Sequence, residues 1–136
     1  MKQELQEKLF EKYPVIFRQK DLPMQQTCMC WGICTGDGWY NIVDMLCHAI
    51  KHHVEWKQKK DEPVQQVEAT QVKEKFGGLR FYYNGGDDYV SGLVSMAEAM
   101  SEVTCAVCGS PATTTFGRWT KVCVSCEKDR VNSLKA

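Results

Sequence analysis

Two pairs of cysteines near the C-terminus constrain this 136-residue chain more than any other feature. Cys105 and Cys108 form one Cys-x2-Cys pair, Cys123 and Cys126 form the other, and 14 residues separate them. Each pair can make a tight turn, or knuckle, whose two sulfurs point inward, and four thiolates together complete a tetrahedral Zn²⁺ site. Such a site has no open coordination position, so the spacing predicts one structural zinc ion per chain.

The residues between the two pairs predict a hairpin that brings the second knuckle over the first. Its arms would be Thr113–Phe116 and Trp119–Val122, joined at Gly117. Gly109 suits the positive φ that such knuckles need. Four thiolates and one Zn²⁺ carry a net charge of about −2, which we expect nearby basic residues to offset: Arg118, Lys121, Lys128 and Arg130. We expect Phe116 and Trp119 to cover the metal and a small core; the alternative is that they stack on a nucleic acid.

Upstream of the cysteines, the periodicity predicts helices over 2–13, 39–57 and 88–102 and a two-stranded hairpin over 64–83. The second helix has one apolar stripe: Trp39, Ile42, Val43, Leu46, Ile50 and Val54. The third has a predicted inner face: Tyr89, Leu93, Met96, Ala97, Met100 and Val103. Asp37 and Asp87 are expected to cap helices. The predicted fold class is α+β, with a helix/hairpin domain over 1–104 and a zinc ribbon over 105–136 packed on it.

The charge balance restricts the function classes. Seventeen basic and seventeen acidic residues give a formal net charge of zero. This argues against bulk electrostatic binding to nucleic acid or to an anionic membrane. The N-terminus is polar and the chain lacks an apolar run of about 20 residues, so we expect a cytoplasmic protein without a membrane anchor. In that reducing compartment, cysteines bind metal more readily than they form disulfides.

Four further cysteines leave two interpretations open. Cys28, Cys30 and Cys34 have irregular spacing, and Cys47 falls within the apolar stripe of the second helix, where a free cysteine is a small buried residue. A second metal site from Cys28, Cys30 and His48 or His52 is the alternative. A Cys–His catalytic pair lacks an evident carboxylate or amide to orient it.

A run rich in glycine, aromatic and basic residues, over 71–83, suggests a ligand site. Lys73, Lys75 and Arg80 bring positive charge, and the amides of Gly77 and Gly78 can point at an anion. Alternation places Arg80 and Tyr82 on one strand face, where Tyr82, with Trp39 or Trp31, can stack on a base. The alternative is structural: the glycines form a turn or bulge, the aromatics are core, and the charges are solvated.

Three segments together carry a family resemblance. They are Gly36-Asp37-Gly38-Trp39, the run QVKEKFGGLRFY over 71–82, and Ala97-Glu98 leading to Cys105-x2-Cys108-Gly109. In this order they resemble a family of small bacteriophage proteins, over roughly residues 30–126. The resemblance implies an accessory protein made in the host cytoplasm, and phage accessory proteins often block host defences.

Pocket chemistry and phage context lead to one principal hypothesis. The chain is expected to be a non-enzymatic sponge that binds a phosphorylated nucleotide-derived signal, such as a cyclic nucleotide or a cyclic ADP-ribose type molecule. The alternatives are a module that occludes a host defence or transcription protein and, less favoured, a nucleic-acid-binding zinc ribbon. Exposed aromatics and short helices are compatible with a homo-oligomer.

Overall fold

A computed structural model describes residues 1–135 as a mixed α+β fold, which confirms the predicted class. The helices are α1 (Gln3–Lys12), α2 (Tyr40–Lys59), α3 (Asp88–Ser101) and α4 (Val124–Lys135). The strands are β1 (Ile33–Cys34), β2 (Glu68–Lys75) and β3 (Gly78–Asn84), in the sheet order β1-β2-β3. β1 pairs parallel with β2, and β3 pairs antiparallel with it. Three short 3-10 turns, Arg18–Asp21, Met29–Trp31 and Asp37–Trp39, lie in the region predicted as loop and turn.

The core forms where α2 packs over one face of the sheet. The predicted apolar stripe of α2 is buried throughout, and Trp39, directly before the helix, is 0 % exposed. The Trp39 indole donates a hydrogen bond to the Thr104 carbonyl at 3.1 Å, so its single polar group is satisfied in the interior. Leu9 of α1 and Phe17 also reach this core. No helix among residues 1–135 has the length and hydrophobicity needed to cross a membrane.

The predicted hairpin is confirmed, and its turn contains only Phe76 and Gly77. Both residues have positive φ, 52° and 88°, as tight turns between twisted strands require. The register places Lys73 opposite Arg80 and Val72 opposite Phe81. Leu79 and Phe81 face the core, whereas Arg80 and Tyr82 lie on the outer face, as the alternation predicts.

Side chains from the flanking helices protect both edges of the sheet. At one edge, the Ile33 amide donates to Gln6 Oε1 of α1 at 2.8 Å. At the other, the Leu79 amide donates to Ser101 Oγ at 2.8 Å, and the Phe81 amide donates to Glu98 Oε2 at 3.0 Å. These bonds satisfy strand donors that would otherwise be open to pairing with another chain.

This edge protection explains why the predicted inner face of α3 is wrong. The residues that α3 buries are Val90, Val94, Ala97 and Ser101. Most of the predicted apolar stripe instead faces outward: Tyr89, Met96, Met100 and Val103 are all about half exposed or more. Turning Ser101 and Glu98 toward β3 rotates the longer apolar side chains to the opposite side of the helix.

Of the two predicted caps, one is confirmed and one is wrong. The Asp87 carboxylate accepts the Val90 amide at 3.1 Å and caps α3. It also binds His53 Nε2 at 2.8 Å, and that hydrogen bond lowers the pKa of Asp87. Asp37 makes no cap for α2 and instead accepts the Lys2 amide at 2.7 Å.

Replacing Ser101 with alanine should destabilise the fold by leaving the Leu79 amide without its acceptor. Ser101 is fully buried, so the expected loss is about 1–3 kcal/mol in the free energy of unfolding. Ser95→Ala, at an exposed position of the same helix, is the matched control and should change stability by less than about 0.5 kcal/mol. Urea unfolding monitored by circular dichroism measures both, and equal effects would contradict this account of the edge.

Candidate metal centre and the basic sheet face

The four cysteines of the C-terminal pairs converge on one point. The sulfurs of Cys105, Cys108, Cys123 and Cys126 all lie within 4.8 Å of one another, and those of Cys108 and Cys123 are 3.6 Å apart. Four sulfurs at about 2.3 Å from a tetrahedral ion would be about 3.8 Å apart. The quartet therefore fits a structural metal ion, as the spacing predicts.

The two cysteine pairs are held by different backbone structures, a tight turn for the first pair and the start of a helix for the second. The first knuckle closes through the Gly109 amide, which donates to the Cys105 carbonyl at 2.9 Å, and Gly109 has the predicted positive φ of 86°. The second cysteine pair lies at the start of α4: Cys123 precedes the helix and Cys126 lies in its first turn. Thiolates are favoured at a helix N-terminus. Hydrophobic periodicity does not predict α4, because this helix has no buried apolar stripe.

The four cysteine thiols differ in pKa because their hydrogen bonds and their burial differ. Hydrogen bonds from the Ser110 hydroxyl and backbone lower the pKa of Cys108 to about 6. Burial raises the pKa of Cys105, but backbone amides at this site outweigh it and leave the pKa below its usual value. The pKa of Cys126 is raised by burial and by the three neighbouring sulfurs. A bound cation would remove this mutual repulsion and allow all four thiolates to form.

The segment between the two pairs doubles back, but less regularly than a two-stranded ribbon. The Val122 amide donates to the Thr114 carbonyl at 3.0 Å, and the turn contains Phe116 and Gly117, both with positive φ. No strand is assigned to residues 109–122. The predicted covering role of Trp119 is wrong, because this side chain is 72 % exposed. It lies against Phe76 at the hairpin turn, with ring centroids 5.8 Å apart.

The charges near the quartet also pair differently from the prediction. Arg118 and Arg130 both bind the Glu127 carboxylate, at 3.5 Å and 2.6 Å. These contacts lower the pKa of Glu127, principally through Arg130. Two of the four basic residues expected to offset the charge of the thiolates are thus occupied by an acidic residue of α4.

Two glycines of the segment before α2 pack directly against the backbone of the first knuckle. A Cβ added at Gly36 would lie 2.0 Å from the Ala106 carbonyl oxygen, and one at Gly38 would lie 2.1 Å from that of Cys105. The Gly38 amide donates to the Ala106 carbonyl at 2.9 Å. The sequence predicts a turn and a helix cap for this segment. The one sequence feature that could have indicated this close backbone contact is the pair of glycines directly before Trp39.

The glycines of the hairpin make a second contact with the metal-binding segment. A Cβ at Gly77 would lie 1.9 Å from the Trp119 carbonyl oxygen, and the Gly77 amide donates to Glu74 Oε1 at 2.8 Å. Gly78 pairs with Lys75 in the β ladder. Both glycines are buried, so the prediction that they bind an anion is wrong: their backbone contacts lie within the protein.

The predicted stacking role of Trp39 is also wrong. This side chain is completely buried and lies in the core beneath the sheet. Trp31 is 66 % exposed, but it lines a separate groove together with Phe10 of α1. The sequence predicts that one of these tryptophans stacks beside the 71–83 run. Tertiary packing places both side chains away from that run.

Four of the predicted ligand residues do come together on the outer side of the hairpin. Lys73 pairs across the strands with Arg80, and Gln71 pairs with Tyr82. Tyr82 is 41 % exposed. Lys75, at the end of β2, is exposed near the Phe76 ring. We call Gln71, Lys73, Lys75, Arg80 and Tyr82 the basic sheet face.

The remaining cysteines form no comparable cluster. Within residues 1–135, the C-terminal quartet is the one group of three or more potential ligands that could hold a metal. Cys47 is fully buried in α2, as its place in the apolar stripe predicts, and burial raises the pKa of its thiol. The thiols of Cys30 and Cys34 donate to nearby backbone carbonyls.

Comparison with protein-family models, with characterised proteins and with solved structures finds no match for this chain.

Removing the metal should unfold the knuckles while sparing the hairpin. With a chelator, we expect fast hydrogen exchange at the amides of Ala106, Gly109 and Val122, whose bonds hold the C-terminal segment together. Val72 and Phe81 should stay protected, because they belong to a separate core. Cys30→Ser is the control and should retain the metal, whereas Cys123→Ser should lose it. Protection that survives chelation at all three amides would contradict a structural metal site.

Proposed function

We propose that the basic sheet face binds a phosphorylated nucleotide-derived molecule and holds it without chemical change. The observation that carries the proposal is the direct cross-strand pairing of Lys73 with Arg80. Like charges in directly opposed positions destabilise a sheet. A bound phosphate would convert this repulsion into two attractive contacts.

The surroundings of the pair support an anionic ligand. Neither Lys73 nor Arg80 makes an ion pair with any residue that the structure describes. Arg80 donates through Nη1 to the Leu79 carbonyl at 2.9 Å, which uses one of its five N–H donors. The remaining donors can bind phosphate oxygens in the fork geometry of a guanidinium.

The next pair along the hairpin supplies groups suited to a base. Tyr82 presents an aromatic ring beside Arg80, and a base stacked on such a ring is stabilised by about 1–3 kcal/mol. Gln71 lies opposite it and carries both donors and acceptors for the edge of a base. Phosphate and base recognition would thus occupy successive pairs of one hairpin.

We infer that the metal is zinc and that its role is structural. A set of four thiolates favours Zn²⁺ among common ions and leaves it no position for a substrate. A site closed in this way would take no direct part in binding or converting a ligand. Elemental analysis of the purified chain should give one zinc per chain.

The biological role that we propose joins this chemistry to the resemblance to phage proteins. The protein would act in the cytoplasm of an infected host and sequester a cyclic nucleotide or a cyclic ADP-ribose type signal of a defence system.

Calorimetry with cyclic nucleotides and cyclic ADP-ribose isomers tests the proposal directly. We expect one of them to bind the zinc-loaded protein. Arg80→Ala should weaken that binding about tenfold to a hundredfold, or about 1.4–2.8 kcal/mol, because the phosphate loses a charged contact. Lys51→Ala, at an exposed position of α2, is the matched control and should leave affinity unchanged. No heat from any ligand with folded protein would refute the proposal.

A second candidate is supported by the exposed aromatic pair at the hairpin turn. Phe76 and Trp119 are 71 % and 72 % exposed and lie edge to face, and aromatic side chains of this kind anchor protein interfaces. The protein would then occlude a host defence or transcription protein. A pull-down from host lysate should recover a stoichiometric partner that Trp119→Ala releases and nucleotides do not. Recovery of nucleic acid, with steep salt dependence, would instead favour the nucleic-acid hypothesis.

A further inference from the structure

We propose that a second copy of this chain covers the side of α2 and α3 that faces away from the sheet, so that two copies form a four-helix bundle. The first observation is the exposed stripe of α3. Its residues, Tyr89, Leu93, Met96 and Met100, are separated by 4, 3 and 4 residues. This is the 3.5-residue repeat of helices that pack along a shared seam. Three of the four side chains are about half exposed or more.

α2 presents a matching stripe on the same side. Met45, Ala49, His52 and Trp56 are separated by 4, 3 and 4 residues, and Met45 and Trp56 are 61 % and 45 % exposed. The residues that α2 buries against the core belong to a different side of the helix. α2 therefore has two apolar sides, one of which the described chain leaves without a partner.

The two stripes line two hollows that follow one another along the helix pair. Met45 and Ala49 of α2 and Leu93 and Met96 of α3 border a groove of about 370 Å³. Trp56 and His52 border the next hollow together with Tyr89. The helices run antiparallel, since Gly38 before α2 contacts Cys105 after α3, while His53 late in α2 binds Asp87 at the start of α3. An antiparallel pair with one shared apolar side is half of a four-helix bundle.

The area and charge of this two-helix face favour a second copy as the occupant. With about 200 Å² for each fully exposed large side chain, the exposed fractions of its five large side chains amount to about 550 Å² per copy. Two copies would bury about 1,100 Å², above the roughly 1,000 Å² that a specific interface needs. α3 has no lysine or arginine, and Glu98 is directed to the sheet edge, so two α3 helices can meet without strong repulsion.

Symmetry explains why a single foreign helix fits less well. A single helix in the groove would cover the sides of the two stripes that border the groove. The parts of the stripes farther from the groove would stay exposed. A second copy supplies two helices at once, and a twofold axis makes the same face complementary to itself. The small residues Gly92 and Ala99 beside the exposed stripe of α3 allow close approach of the partner backbone.

Sedimentation equilibrium of the full-length, metal-loaded protein over a wide concentration range tests the proposal. We expect a mass of twice 15.5 kDa for the wild type. Met96→Lys should give monomers with an unchanged circular dichroism spectrum, because each new charge would be buried against apolar surface in the dimer. Met45→Lys makes the same test from the other helix should Met96→Lys not fold. Met24→Lys is the matched control, since Met24 is 60 % exposed in the loop before β1, and it should stay dimeric.

Three results would overturn the proposal. A wild type that stays monomeric at all concentrations would leave the face to a partner of different sequence. A dimer that persists in both lysine variants would place the interface elsewhere. An assembly larger than two copies would exclude the closed bundle.

Discussion

The close contact between the first cysteine knuckle and the backbone of Gly36 and Gly38 holds the two parts of this protein together. Because neither glycine has a Cβ, the carbonyls of Cys105 and Ala106 approach the chain directly before α2. The same contact brings Thr104 within reach of the Trp39 indole, which anchors the start of α2 in the core. Gly77 repeats the arrangement at the hairpin turn, where the Trp119 carbonyl takes the space of a side chain. The metal-binding segment is thus attached by backbone packing at two glycine-containing points.

This arrangement gives the glycines of two motifs a structural role. The two hairpin glycines suggest an anion site when only composition is considered, and Gly36-Asp37-Gly38 suggests a turn and a helix cap. In the structure, the glycines of both motifs contact the segment that carries the cysteine quartet. The chemistry available for a ligand lies instead on the strands that follow and precede the hairpin turn, where Lys73 and Arg80 are held opposite each other by the register.

Three exposed surfaces carry groups suited to a ligand or a partner. Helix side chains cover both sheet edges, so the sheet presents only its outer face, with the basic residues. The hairpin turn presents Phe76 and Trp119. The third surface lies on the far side of α2 and α3, opposite the core. A ligand on the outer face of the sheet and a second copy on α2 and α3 would occupy different surfaces, so the two proposals do not compete for the same residues.

The sequence by itself determined the features that depend on local spacing: the cysteine quartet, the α2 stripe, the hairpin with its alternation, and the Asp87 cap. Each follows from the period of a helix or strand or from the reach of one turn. Tertiary structure alone decided the orientation of α3, the burial of Trp39, the exposure of Trp119 and the role of the glycines. An apolar stripe shows which side of a helix avoids water, but it does not show which surface will cover it. For α3, the hydrogen bonds that the Leu79 and Phe81 amides at the edge of β3 donate to Ser101 and Glu98 decided the orientation and turned the apolar stripe outward.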